Sequence, residues 1–172
     1  MMDYWDRPAR PLREIPRDGD NHAFLIKALN EAGNELGGEF YGLRRRQLAA
    51  RIGDGWSLRQ IAGHVRDKEQ ATLSSVRAII SSRKPVLEVV DLEALADDGE
   101  YQHLDLHETL CTFSELRENL VYILHNLSPR QWQRMGTHPY RGALSIADLV
   151  RELNEHDLAH LWQVQRIKQA LL

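Results

Sequence analysis

Four stretches of this chain place apolar residues three and four positions apart, and no stretch sustains the alternation that a half-buried strand requires. That one-sided periodicity confines the fold to packed helices. The only strand candidate, Pro85 to Val90, is short and begins at a proline. At 172 residues the chain is the size of one ordinary domain, so the four stripes are expected to share a core.

The first helix is expected to open after Asp18 or Asp20 and run through Phe24, Leu25, Ala28, Leu29 and Ala32 to Leu36, with a break at Gly37-Gly38 before the pattern resumes weakly at Phe40 and Tyr41. A short helical piece from Leu43 to Ile52 follows, with Arg44, Arg45 and Arg46 as a solvated face. Ser57 and Gln60 form a capping box for the second helix, whose stripe Leu58, Ile61, Ala62, Val65, Thr72, Val76, Ile79 and Ile80 runs to Ser81 before Pro85 stops it. Asp105 caps the third helix, with the stripe Leu106, Leu110, Phe113, Leu116, Leu120, Ile123, Leu124 and Leu127. Ser128-Pro129 restarts a short helix through Trp132, and Gly136 to Gly142 reads as loop. Ser145 and Asp148 cap the fourth helix, which runs to the C-terminus. The expected fold is therefore all-α: a four-helix bundle over residues 20–172, preceded by an extended N-terminal arm at 1–19. Between the second and third helices lies a long acidic connection, which reads as a crossover that also lids one end of the bundle.

Charge and composition exclude several classes of function. The net charge of −3 carries no basic stripe beyond the Arg44 triplet, so no nucleic-acid partner is expected. The longest apolar run, Leu120 to Leu124, excludes a membrane span, and the arm has no apolar signal region. A single cysteine, Cys111, fits a reducing cytoplasm.

Eight histidines remain to be placed. His156 and His160 stand one turn apart on the apolar stripe Leu153, His156, His160, Val164 and Ile167, so both imidazoles point into the bundle. Two readings fit such a pair: ordinary core histidines with hydrogen-bond partners, or ligands of a divalent ion. His64 borders the buried stripe of the second helix, and three inward nitrogens from two helices have the ligand count of an open catalytic site. Neutral imidazoles suit Zn²⁺, Ni²⁺ or Fe²⁺ alike.

The segments carrying these histidines resemble a known family. Trp56-Ser57-Leu58-Arg59-Gln60-Ile61-Ala62-Gly63-His64-Val65 resembles the opening W-S-x-x-x-[IVL]-x-x-H-[LV] of the DinB-like metal-binding proteins, also called the YfiT-like metalloenzymes. His156-Asp157-Leu158-Ala159-His160-Leu161-Trp162-Gln163-Val164 resembles their closing H-D-x-x-H-x-x-Q-[IV] helix, and Phe113 to Arg117 and Gly142 to Ile146 fall where that family has weaker phrases. The resemblance implies a four-helix bundle with a crossover between helices 2 and 3, a metal site at His64, His156 and His160, and a homodimer. For activity it implies a metal-dependent transferase or hydrolase acting on a small electrophile, in some members with a low-molecular-weight thiol such as bacillithiol or mycothiol. A metal- or ligand-binding protein without turnover, and a dimeric scaffold with a vestigial site, are the alternatives.

Other constellations carry less. His156-Asp157-Leu158-Ala159-His160 differs from the zincin motif by one methylene, but no strand is available to hold an extended peptide. The His156-Asp157 dipeptide of the HD phosphohydrolases lacks their further ligands. Asp67, Glu69, Glu152 and Asp157 are undistinguished as general bases. Arg117 is expected to pair with Glu118 or a loop acid, Cys111 to be a small buried residue beside His107, Trp56 and Trp162 to pack, and His138 to be an exposed loop histidine.

Overall fold

The computed structural model describes residues 21–97 and 100–171, so the N-terminal arm lies outside the described residues. Four long helices make the bundle: α1 (His22–Glu39), α2 (Leu58–Ser81), α4 (Leu106–His125) and α6 (Ile146–Gln169). Two short helices, α3 (Leu92–Asp97) and α5 (Pro129–Trp132), lie in the connections. The expected starts hold where a side chain can satisfy an orphan amide. Ser57 and Ser145 accept from the amides of Gln60 and Asp148 in reciprocal capping boxes, and Asp105 accepts from Glu108.

α1 packs on α6 and α4, and α2 packs on the same two helices, so α1 and α2 stand at opposite corners. The core falls into two clusters that reveal the helix directions. One joins Leu25 and Leu29 of α1 to Leu73, Val76 and Ile79 of α2, Leu120 and Leu124 of α4, and Ile146, Val150 and Leu153 of α6. The other joins Leu36, Phe40, Leu58, Ile61, Val65, Phe113, Leu161 and Val164. Hence α1 and α6 run one way while α2 and α4 run the other.

Residues 82–105 must then return along the bundle before α4 can begin. Leu87 lies in the first cluster, the Leu92 carbonyl faces His64, and Tyr101 lies against Gly63, where a Cβ would approach its ring to 2.7 Å. Arg59 donates to the Leu104 carbonyl at 2.7 Å. The connection thus covers the flank of α2 that carries His64.

Three local expectations are corrected. Gly37 and Gly38 continue α1 to Glu39, because no other group crowds them and helical backbone costs glycine only entropy. The piece from Leu43 to Ile52 reduces to a 3-10 turn at Gln47–Ala49. The expected loop from Gly136 to Gly142 is an antiparallel hairpin, β1 (Met135–His138) with β2 (Gly142–Ser145), in the register Gly136 to Leu144. Four-residue strands are too short to show alternation, and this pair is held by a parallel bridge from Val86 to Thr137 and by Gly142 at φ +80°.

Candidate metal centre

His64 sits two turns into α2, and His156 and His160 lie in the middle of α6, so the antiparallel packing of these helices brings all three rings together. Ring centroids are 4.9 Å apart for His64 and His156, 4.8 Å for His64 and His160, and 4.4 Å for His156 and His160. One ligand nitrogen from each ring lies within 4.8 Å of the other two, and the Nε2 atoms of His64 and His156 are 2.8 Å apart.

The surroundings keep these imidazoles neutral, the form that coordinates a cation. Burial pushes His64 down to about 4, helped by the His160 imidazole, and pushes His160 down to about 4, helped by His156. Burial lowers His156 as well, against the opposing pull of Asp157.

Where the ring protons sit follows from the outer partners. His64 Nδ1 faces the Leu92 carbonyl at 3.4 Å, and His160 Nδ1 faces Gln163 Oε1 at 2.9 Å. Both partners accept, which favours a proton on each Nδ1 and an Nε2 free to coordinate. His156 Nδ1 lies 3.6 Å from Asp157 Oδ1, beyond hydrogen-bond length. The Nε2 atoms of His64 and His156, at 2.8 Å, must share either a proton or a cation. The donor set therefore fits a divalent ion with three nitrogen ligands and open positions.

Trp56 closes one side, its indole 4.6 Å from the His64 ring and 6.1 Å from the His160 ring, tethered by Nε1–H donating to Asp97 Oδ1 at 2.9 Å. Lys68 lies one turn beyond His64, half-buried; burial lowers its pKa, and its charge in turn lowers those of His64 and His156. Glu152, one turn before His156, is held by Arg141.

Behind the histidines runs an ionic network that reaches all four long helices. Arg117 of α4 donates Nε and Nη2 to Glu69 of α2 at 2.9 and 2.7 Å, Nη2 to Asp157 Oδ2 of α6 at 2.6 Å, and Nη1 to the Leu29 carbonyl of α1. Glu69 and Asp157 are wholly buried and Arg117 nearly so. Burial opposes the Arg117 charge, but Asp157 and Glu69 outweigh it and its pKa rises. The expected partners of Arg117, Glu118 or a loop acid, are thereby replaced.

The sequence carried a sign of this network that the reading missed. Glu69, Arg117 and Asp157 each interrupt the apolar stripe of a different helix, as two acids and one base. The other expectations divide. Cys111 is exposed, with Sγ 3.7 Å from His107 Nε2, and Trp162 is half exposed; neither belongs to the core. Among the possible bases, Glu69 and Asp157 are spent on Arg117, and Asp67 is held by Arg66 and by the Tyr101 hydroxyl at 2.5 Å.

The chain is similar to known proteins in sequence and in fold. The chain is 24% identical over 146 residues to OB0413 of Oceanobacillus iheyensis, covering 83% of each protein. It is 26% identical over 110 residues to OB0782 of the same organism, covering 62% of this chain and 63% of that protein. Both are provisionally named metal-dependent hydrolases. Among solved structures, YfiT from Bacillus subtilis aligns with a TM-score of 0.81 at 17% identity, over 96% of this chain and 93% of that one. It is described, in similarly provisional terms, as a metal-dependent hydrolase with an unusual four-helix bundle topology. TT2238, a four-helix bundle protein, aligns with a TM-score of 0.61 at 21% identity, over 84% of this chain and 98% of its own. The colibactin self-resistance protein ClbS, solved with double-stranded DNA, aligns with a TM-score of 0.68 at 11% identity, over 88% and 97%. At such identities the likeness is one of fold. The model of the DinB superfamily matches residues 28–164, a span that takes in all three clustered histidines, and the chain belongs to that superfamily.

Proposed function

We propose that this protein is a metal-dependent hydrolase whose divalent ion is held by His64, His156 and His160. The observation that carries the proposal is the convergence of the three imidazoles, one ligand nitrogen from each within 4.8 Å of the other two, with the Leu92 carbonyl and Gln163 Oε1 as acceptors behind Nδ1 of His64 and His160. A divalent ion there supplies Lewis acidity, which polarises a small electrophile and favours deprotonation of the attacking nucleophile.

The chain's own residues do the rest. The three imidazoles bind and orient, and Trp56 excludes water from one side. The partly exposed edges of His156 and His160 leave an approach for substrate. Lys68 and Arg141 give that approach a positive rim, which favours a substrate bearing negative charge. Of the four candidate bases, Glu152, partly exposed one turn before His156 and paired with Arg141, is the one assigned to take a proton. A small-molecule substrate and a homodimer belong to the same proposal. No helix among the described residues is long and apolar enough to cross a membrane.

The test begins with untagged protein. Metal analysis is expected to give close to one divalent ion per chain, lost in His156→Ala and His160→Ala. Metal-loaded and metal-stripped protein are then compared on small esters, amides and phosphoesters, and on monochlorobimane with a panel of thiols. Metal-dependent release of acid or alcohol supports the hydrolase; a rate seen only with thiol present replaces water by thiolate as the nucleophile. Equal rates with and without metal overturn the enzyme reading and leave a binding protein.

A further inference from the structure

Two buried polar atoms beside the metal centre have no hydrogen-bond partner, and they face each other: His156 Nδ1 and Asp157 Oδ1, 3.6 Å apart. Such atoms are costly to bury unsatisfied, and neither has another partner. Arg117 donates to Glu69, the Leu29 carbonyl and Asp157 Oδ2, so the guanidinium fixes the Asp157 carboxylate by one oxygen and leaves the other free. A shift of under an ångström closes the gap to hydrogen-bond length.

We propose that Asp157 is a positioning residue for the metal centre: its Oδ1 accepts the Nδ1 proton of His156, keeping Nε2 bare and aimed at the ion, while Arg117 and Glu69 lock the carboxylate in place. This rests on the metal-binding reading above. The chemistry is one of tautomer choice. With an acceptor at Nδ1, His156 presents a lone pair at Nε2; with a donor there, the proton moves to Nε2 and coordination is blocked. The carboxylate also makes the imidazole a stronger ligand, as acceptors behind metal-bound histidines commonly do. Adjacent positions on a helix point about 100° apart, which is how His156 reaches the cluster while Asp157 reaches Arg117.

The test uses Zn²⁺ alone and needs no substrate. Asp157→Asn keeps the shape and can still accept from Arg117 through its carbonyl, but then turns an N–H toward His156. Zn²⁺ affinity is expected to fall about 10- to 100-fold. Val150→Ala, a core truncation on the same helix, controls for loss of packing: it is expected to lower the stability of the metal-free protein while leaving affinity within about threefold. In zinc-loaded wild type, nitrogen-15 NMR is expected to show the His156 proton on Nδ1 in a strong hydrogen bond, a readout that survives even if Asp157→Asn does not fold. Unchanged affinity in Asp157→Asn, an equal loss in Val150→Ala, or a His156 proton on Nε2 each overturns the assignment while leaving the metal site intact. Failure of wild type to bind Zn²⁺ at all overturns instead the reading beneath it.

Discussion

Replacing Gly33 by alanine sets two well-understood effects against each other. Gly33 lies inside α1, where alanine is favoured over glycine by about 1 kcal/mol. Yet a Cβ at this position would overlap Nη1 of Arg117 and lie 2.9 Å from its Cζ. Arg117 has nowhere to retreat, since it is tied to Leu29, Glu69 and Asp157 on three other helices. Breaking a buried ion pair by displacing one partner costs about 3–5 kcal/mol. The helix-propensity gain offsets part of that, which leaves a net loss of about 2–4 kcal/mol. For a chain of this length the loss corresponds to a Tm lower by about 6–12 °C. The assay is urea unfolding of metal-stripped protein followed by far-ultraviolet circular dichroism, with Gly37→Ala as the paired control. Nothing lies within 4 Å of a Cβ at Gly37, so that variant is expected to gain up to about 1 kcal/mol. If Gly33→Ala is as stable as wild type, the buried guanidinium is not the rigid clamp described here.

Other expectations can be checked separately. Lys68→Met removes a positive charge beside the ion and is expected to tighten Zn²⁺ binding about two- to fivefold by competition with a chelator; weaker binding would contradict the placement of Lys68. Co²⁺ is expected to quench tryptophan fluorescence mainly through Trp56, so Trp56→Phe should lose most of the quenching, whereas full quenching in that variant would move the ion away from the indole. Metal-free protein is expected to lose stability as pH falls from about 6.5 toward about 4. Over that range the unfolded chain takes up protons at His64 and His160 that the folded chain refuses, so the stability present above the unfolded value is lost through the folded one. A flat Tm across that window would contradict the burial of these rings.

Much of this could be read in advance wherever one residue's neighbours are its own helical turns. The caps at Ser57, Asp105 and Ser145 and the apolar stripes are local, and each led to the helix found. The three histidines were legible because two share a face and the third borders a stripe, though only the packing of α2 on α6 brings them together. What stayed hidden depends on partners distant in the chain. The hairpin of β1 and β2 draws support from Val86, some fifty residues earlier. Arg117 looked exposed to an acidic loop, yet its carboxylates lie 48 and 40 positions away on two other helices. The carbonyl behind His64 belongs to the backbone at Leu92, a group that no side-chain motif records.

X-ray absorption at the metal edge of the untagged, zinc-loaded protein reaches the central claim most directly. The account predicts one ion per chain, with nitrogen or oxygen neighbours at about 2.0–2.1 Å and outer-shell scattering from three imidazoles. A stoichiometry near zero, or a first shell without imidazole scattering, would contradict it.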